Sequence, residues 1–457
     1  MYLYPMLKLL ILAYDFPPYV SVGGLRPYNW YKYLKEFGIE PIVVTRQWQN
    51  KHGNHLDYVQ EGYSPNVVVE KTETGTILRT PYKPNLSNRL LLKFGDAKYK
   101  ILRRSISGLY EVLQYLYPVG PKSEIYAAAR DYLKTNKVDA IIATGDPFVL
   151  FTYADQLSKE FDIPWIADYR DPWSQNFSAK KSLPQRKLEQ LFEKRIVPGA
   201  SHINTVDNLF KHKINSLFPN KSISILSNGF DPEAISSVKG IEQSRDTLTF
   251  SFVGTIYLWH PLEHLLSCFN ELIRDRGINV KIKFYGSNIN DNIEEIVSTK
   301  YKSLINKAIT VPKLANRELL EQLAQDNALL LFNYYEFTGT KIYDYLAIGR
   351  KILLCFENDP VAIQLKNRYY FRTIETDENP QIDMINSTHS GVIVKDREHL
   401  KKVVMDLYQE FSQTGMIHCD SVGVEKYSRK IQVEKLAEIV KDITKIDVPG
   451  DGADIRD

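Results

Sequence analysis

Leu7-Lys8-Leu9-Leu10-Ile11-Leu12-Ala13 is apolar almost without interruption, whereas a strand with one wet face would alternate. A short continuous run is the pattern of a parallel strand covered by helices on both faces. The run leads into Asp15-Phe16-Pro17-Pro18 with no small-residue cleavage pattern behind it. It therefore reads as a buried strand and not as a secretion signal. A loop holding Gly23-Gly24 follows, then helical spacing from Leu25 to Phe37, Gly38 as a stop, and a second apolar run from Pro41 to Thr45. This β-loop-α-β unit predicts a doubly wound α/β domain.

The same rhythm recurs outward from there. Strands are expected at Ala140 to Ala143, Pro164 to Ala167 and His202 to Thr205, with helices near Phe148 to Phe161 and Gln185 to Ile196. Asn85 to Tyr117 interrupts the alternation with mixed basic and apolar residues, among them Arg89, Lys93, Lys98, Lys100, Arg103 and Arg104, and reads as an insertion. The polar stretch from Ser236 to Asp246 reads as an interdomain linker. A second alternating series runs from strand Leu248 to Val253 through helix Lys341 to Ile348 to strand Ile352 to Cys355. The expected domains are 1–235, with the insertion at about 85–117, and 236–426. Residues 427–457 form a C-terminal helix packing back across both domains and a frayed tail from 446.

At 457 residues the chain is long enough for two cores of roughly 200 residues each. With 58 basic and 55 acidic residues the net charge is +3, so no global field favours nucleic acid. Cys268, Cys355 and Cys419 are far apart and the nine histidines are scattered, which argues against a disulfide framework or a metal-ligand cluster. No apolar stretch reaches the roughly 20 residues of a membrane-spanning helix. A cytoplasmic protein is expected, with any membrane contact peripheral at the inner face. The basic, leucine-containing insertion is either such a contact, meeting a lipid-linked acceptor, or an ordinary amphipathic surface helix.

Two stretches can carry chemistry. Gly23 and Gly24, between a strand and a helix, let the backbone approach a phosphate at the helix N-terminus, or simply make a turn. Further on, Glu336-Phe337-Thr338-Gly339-Thr340-Lys341-Ile342-Tyr343-Asp344 follows a buried strand. A hydroxyl, a glycine and a lysine opening a helix suit an anionic diphosphate, and a carboxylate in that helix can accept ribose hydroxyls. Capping by Thr338 or Thr340, with Lys341 and Asp344 as a surface pair, explains the same residues.

These stretches belong to a wider pattern: Phe16-Pro17-Pro18 with Gly23-Gly24, Asp168-Tyr169-Arg170-Asp171-Pro172-Trp173, Ser227-Asn228-Gly229-Phe230-Asp231, Phe252-Val253-Gly254-Thr255-Ile256-Tyr257, and Lys341 to Gly349. In this order they resemble the retaining glycosyltransferases of GT-B fold, family four (group 1 or 4-like). The resemblance implies two Rossmann-like domains facing each other across a cleft and a nucleotide-diphosphate sugar as co-substrate. It implies a glycan or lipid-linked acceptor, most often in surface polysaccharide assembly. No metal is expected, since no Asp-x-Asp stands in a plausible loop.

By the same resemblance the second domain holds the donor. Gly254 and Thr255 form the phosphate loop, Glu336 lies near the donor sugar, and Thr338 and Gly339 belong to the same motif. Asp344 stands where the family's second Glu binds ribose, one methylene shorter. The family's Arg after the first strand is missing, because the sequence reads Tyr257-Leu258-Trp259-His260-Pro261. Lys341, and after it Lys313 or Arg350, is expected to compensate. In the first domain Asp146 is the candidate to receive the acceptor proton, with Glu336 and Lys341 completing the catalytic set. Asp171 and Trp173 are placed on the acceptor side, with Arg170 and Asp171 read as a structural pair. A sugar-nucleotide epimerase and a non-catalytic nucleotide-sugar binder are the alternatives.

Overall fold

A computed structural model describes residues 6–19, 21–49, 56–176, 181–370 and 378–444; the expected frayed tail lies outside them. The chain divides into two units, residues 1–227 with 430–457, and residues 228–429.

The first unit runs β1 (Leu7–Leu12), α1 (Val22–Tyr33), β2 (Ile39–Arg46), β3 (Val68–Lys71), β4 (Thr76–Thr80), α2 (Leu86–Phe94), α3 (Lys100–Leu113), α4 (Ser123–Leu133), β5 (Ala140–Gly145), α5 (Val149–Phe161), β6 (Trp165–Tyr169), α6 (Leu183–Ile196), β7 (His202–Thr205), α7 (Asn208–Leu217) and β8 (Ile223–Ile225). Its sheet has the order β3-β4-β2-β1-β5-β6-β7-β8, parallel apart from the β3–β4 pair. The unbroken apolar run of β1 is explained by its two faces. Leu10 and Leu12 enter one core cluster, Leu9 and Ile11 the other. The insertion is the helical hairpin of α2 and α3.

The second unit runs α8 (Pro232–Ser236), β9 (Leu248–Val253), α9 (Leu262–Arg276), β10 (Val280–Tyr285), α10 (Asn290–Lys300), β11 (Ala308–Val311), α11 (Asn316–Gln325), β12 (Ala328–Phe332), α12 (Lys341–Ile348), β13 (Lys351–Cys355), α13 (Pro360–Tyr369), α14 (Pro380–Thr388), β14 (Gly391–Val394) and α15 (Arg397–Thr414). Its parallel sheet has the order β11-β10-β9-β12-β13-β14. Both units are thus Rossmann-like α/β layers with helices on both sides of the sheet.

The last helix, α16 (Arg429–Ile443), enters the first unit. Val433, Leu436, Ala437 and Val440 recur at helical spacing and join the cluster of Leu9, Ile11, Trp30 and Leu226. The helix is therefore part of one core, where the sequence predicted a helix across both domains. The boundary also falls earlier than residue 235, and 236–246 is not a linker. Val238 is buried with Leu320 and Ala324, and Asn327 Nδ2 donates to Gln243 Oε1 at 3.0 Å. Those apolar and amide contacts tie the segment into the second unit.

Candidate functional site

Among the parallel strands of each sheet the order reverses once, at β1/β5 in the first unit and at β9/β12 in the second. Open α/β sheets bind ligands at the carboxyl ends of strands flanking such a reversal.

In the second unit, Gly254 follows β9 with φ +96°, a left-handed conformation that a side chain disfavours. A Cβ built there would lie 4.0 Å from Lys341 Cε, so two residues 87 positions apart in the sequence meet. The Val253 N–H donates to the Tyr345 hydroxyl at 3.0 Å and so anchors α12 beside β9. Thr340 is the N-cap of α12, and its side chain makes no capping hydrogen bond. Capping by Thr340 is therefore not the reason for this sequence. Thr338 is buried and accepts a hydrogen bond from the Tyr343 hydroxyl at 3.4 Å, which stiffens the loop from within. Gly339, at φ +66°, packs on the Tyr334 ring.

Lys341 Nζ lies 3.8 Å from Asp344 Oδ2, and both side chains reach solvent. Desolvation pushes the Asp344 carboxyl up, with Lys341 and Arg429 opposing it. Thr255 is exposed. Lys313 is exposed in the loop after β11, backed by Gly286 at the end of β10, so it lies on the same carboxyl edge.

One expectation fails here, and Glu336 is more enclosed than Lys341 and Asp344. Arg350 precedes β13 and so sits at the amino end of the sheet. Its guanidinium donates to the Ala324 carbonyl through Nε at 3.0 Å and to the Ile241 carbonyl at 2.8 Å, which makes it a structural clamp. Glu336 is buried under its loop, 5% exposed, with Lys366 Nζ 3.7 Å from its Oε1, and Lys366 in turn lies 3.8 Å from the Tyr335 ring centroid. That ion pair turns the Glu336 carboxylate inward.

The loop after β9 holds a feature whose residues were visible but whose use was not. Tyr257 and Trp259 stack at 4.4 Å, and Tyr257 and His260 both pack edge-on against Tyr334. The Tyr257 N–H donates to His260 Nδ1 at 3.2 Å. Burial holds the His260 pKa down to about 3, so this ring is neutral and supplies no cation in place of the missing arginine.

The first unit presents a different edge. Arg170, after β6, donates through Nε to the Gly145 carbonyl and through Nη2 to the Asp146 carbonyl, each at 2.6 Å. Those backbone partners replace the expected Arg170–Asp171 pair, although the Arg170 charge still acts on Asp171. Asp146 and Asp171 are exposed. Asp15, after β1, accepts from Ser21 Oγ at 2.8 Å and from the Tyr58 hydroxyl at 3.3 Å. Desolvation raises the Asp15 carboxyl against the opposing effects of Ser21, Arg170 and Tyr58. The sequence reading missed Asp15, though its place directly behind the first strand was the available signal.

Gly23 and Gly24 are not in a loop. They form the first turn of α1, where the Gly24 N–H donates to the Ser21 hydroxyl at 2.9 Å. A Cβ on Gly23 would stand 2.0 Å from Arg170 Nη1 and 3.0 Å from Asp15 Oδ2, so its bare backbone makes room for the guanidinium. Trp173 is no acceptor-mouth residue. It is 1% exposed and stacks on Phe148 at 5.1 Å, because the chain turns inward after Pro172. Asp168 is likewise structural. Arg26 Nη2 lies 2.7 Å from its Oδ1, with both side chains buried.

No family model matches the chain, and no curated protein matches it. Solved structures do. A trehalose-6-phosphate structure from E. coli bound with UDP-2-fluoro glucose superposes with TM-score 0.54 at 10% identity, covering 96% of this chain and 99% of that one. Sucrose-phosphate synthase from Thermosynechococcus elongatus gives 0.51 at 13%, covering 96% of each chain. The catalytic domain of starch synthase IV from Arabidopsis thaliana bound to ADP and acarbose gives 0.51 at 11%, covering 96% and 99%. At such identities the likeness concerns architecture: the chain has the two-unit, Rossmann-like α/β fold of GT-B proteins.

Proposed function

We propose that the chain is a family-four-like glycosyltransferase that takes a sugar from a nucleoside-diphosphate sugar, with retention and without a metal. The acceptor is a hydroxyl of a glycan or a lipid-linked glycan, as in surface polysaccharide or glycoconjugate synthesis. The observation that carries this reading is the meeting of Gly254, Lys341 and the uncapped start of α12 at the switch point of the second sheet.

A side-chain-free residue lets a diphosphate reach the main chain. Helix N–H groups and a lysine then stabilise the charge that grows on the leaving group as the glycosidic bond breaks. Asp344 is the partner for ribose hydroxyls, with Lys313 as a second cation on the edge. The E. coli and Arabidopsis neighbours hold UDP-2-fluoro glucose and ADP, and both ligands contain the diphosphate that this edge suits. Acceptor hydroxyls are assigned to the first edge, where Asp146, Asp171 and Asp15 offer carboxylates around Arg170. Asp146 is proposed to receive the acceptor proton.

The test is incubation with UDP-, ADP- and GDP-sugars in the presence and absence of glycan acceptors. Free nucleoside diphosphate together with a glycosylated product is the expected result. Epimerised sugar nucleotide formed without any acceptor, or no turnover with every donor, would refute the proposal.

A further inference from the structure

The α2–α3 hairpin wears its amphipathicity inside out. Along α3, Leu102, Ile106, Leu109 and Leu113 recur at helical spacing and form one stripe. In a helix serving a core such a stripe faces inward. Here Leu102 is 50% and Leu109 59% exposed, while Ile106 and Leu113 are half-buried. Ile101, beside the stripe, is 83% exposed.

What α3 buries instead is polar. Arg103 and Gln114 are buried, and Ser107 meets Ser87 of α2 hydroxyl to hydroxyl at 2.8 Å. Ser87 also donates to the Arg103 carbonyl at 3.0 Å. The Arg103 guanidinium closes the connection by donating to the Asp96 carbonyl at 2.5 Å. Only toward its end does the segment lean on the main core, through Val112 and Tyr115. The aliphatic face is therefore not a displaced core face, because the inner side of the hairpin is held by hydrogen bonds between polar groups, although Arg103 Nε is buried without a partner.

The charge around this face is one-sided. Residues 85–117 carry six basic and two acidic side chains, so their net charge exceeds the +3 of the whole chain. Beneath α2, Lys83, Arg89 and Lys93 line an open groove of about 550 Å³ with Leu92, Pro84 and Glu61.

We infer that the α2–α3 hairpin docks on an anionic lipid bilayer, with Leu102, Leu109 and Ile101 entering the acyl boundary and the lysines and arginines at the headgroups. A helix with an exposed aliphatic stripe bordered by cations has the chemistry of an interfacial helix. A second copy of the chain would bring the same positive charge against itself. A nucleic acid would leave the aliphatic stripe without an apolar partner.

The test uses the full chain in a vesicle flotation assay that reads no catalysis, so its failure is distinct from failure of the proposed transfer reaction. The probes are vesicles of phosphatidylcholine alone and of phosphatidylcholine mixed with phosphatidylglycerol. The native chain is expected to float only with the mixed vesicles, and less so as salt is raised. Lys98→Gln, Lys100→Gln and Arg104→Gln together should lower the partition constant by roughly 100-fold. Leu102→Gln with Leu109→Gln should lower it at least about tenfold. Both variants leave Arg103 and the serine contacts in place, and circular dichroism verifies their folding. A native chain that stays unbound, or folded variants that bind as tightly as the native chain, would overturn the inference. So would self-association that disappears in Leu102→Gln/Leu109→Gln without any vesicle binding.

Discussion

The two carboxyl edges are built alike and charged differently. In the first unit, strands β1, β5 and β6 deliver Asp15, Asp146 and Asp171 around one guanidinium, and that guanidinium is held by backbone carbonyls. In the second, strands β9, β11 and β12 deliver a bare glycine, two lysines and a helix start without a side-chain cap. The same topology thus yields one edge rich in acceptor oxygens, suited to hydroxyl groups, and one rich in donors, suited to a diphosphate. Fold positions both edges, and the side chains after each strand decide what they can hold.

The largest expected effect lies beneath the first edge. Asp168 is fully buried with Arg26 as its cation and Thr144 Oγ1 donating to it at 2.9 Å. Arg26→Ala leaves that carboxylate uncompensated and should destabilise the first unit by about 3–5 kcal/mol, as read in the denaturant midpoint. A cost under about 1 kcal/mol would mean that the pair does not hold the β6 end in place.

Lys341→Ala separates the edges. It should weaken nucleoside-diphosphate binding by about 2 kcal/mol, in the range of a charge-assisted hydrogen bond, with the melting temperature unchanged. An equal loss of stability and of binding would make Lys341 a structural residue. Gly254→Ala should cost about 1–2 kcal/mol of stability for placing a Cβ at φ +96°,. Its nucleotide affinity should fall beyond that of a control carrying the same strain away from the edge.

The smallest effect is one of pH. Because the Asp15 carboxyl is raised by desolvation, the folded first unit binds that proton more tightly than the unfolded chain does. Stability from this group is complete below the ordinary aspartate value of 3.8 and is lost as pH rises through the raised value. Asp15→Asn should therefore flatten the pH dependence of stability in the acid range, and an unchanged slope would remove Asp15 from the account.

Much of the architecture was legible because parallel strands buried on both faces write continuous apolar runs, as in Leu7 to Ala13 and Leu329 to Phe332. The stretch from Thr338 to Asp344 stands out in the sequence because loop and helix chemistry coincide within a few residues. What lay hidden depended on direction. Nothing local says that Trp173 turns into the core beside Phe148, or that Gly23 faces a guanidinium from a strand far along the chain. Other signals were present and went unread. Ser21 three residues before Gly24 is a capping signature. Arg350, lying between a helix-ending glycine and a strand, could only have sat at the amino end of the sheet. Val238 and Ile241, inside the supposed linker, were apolar anchors for the second unit.

The central claim is that the second edge, and not the first, holds the nucleoside diphosphate. Calorimetric titration of UDP, ADP and GDP into the native chain, Lys341→Ala and Arg170→Ala tests it most directly. The account predicts binding of at least one nucleotide, weakened about 30-fold in Lys341→Ala and unchanged in Arg170→Ala. Binding that follows Arg170 and ignores Lys341, or no binding by the native chain at all, would contradict it.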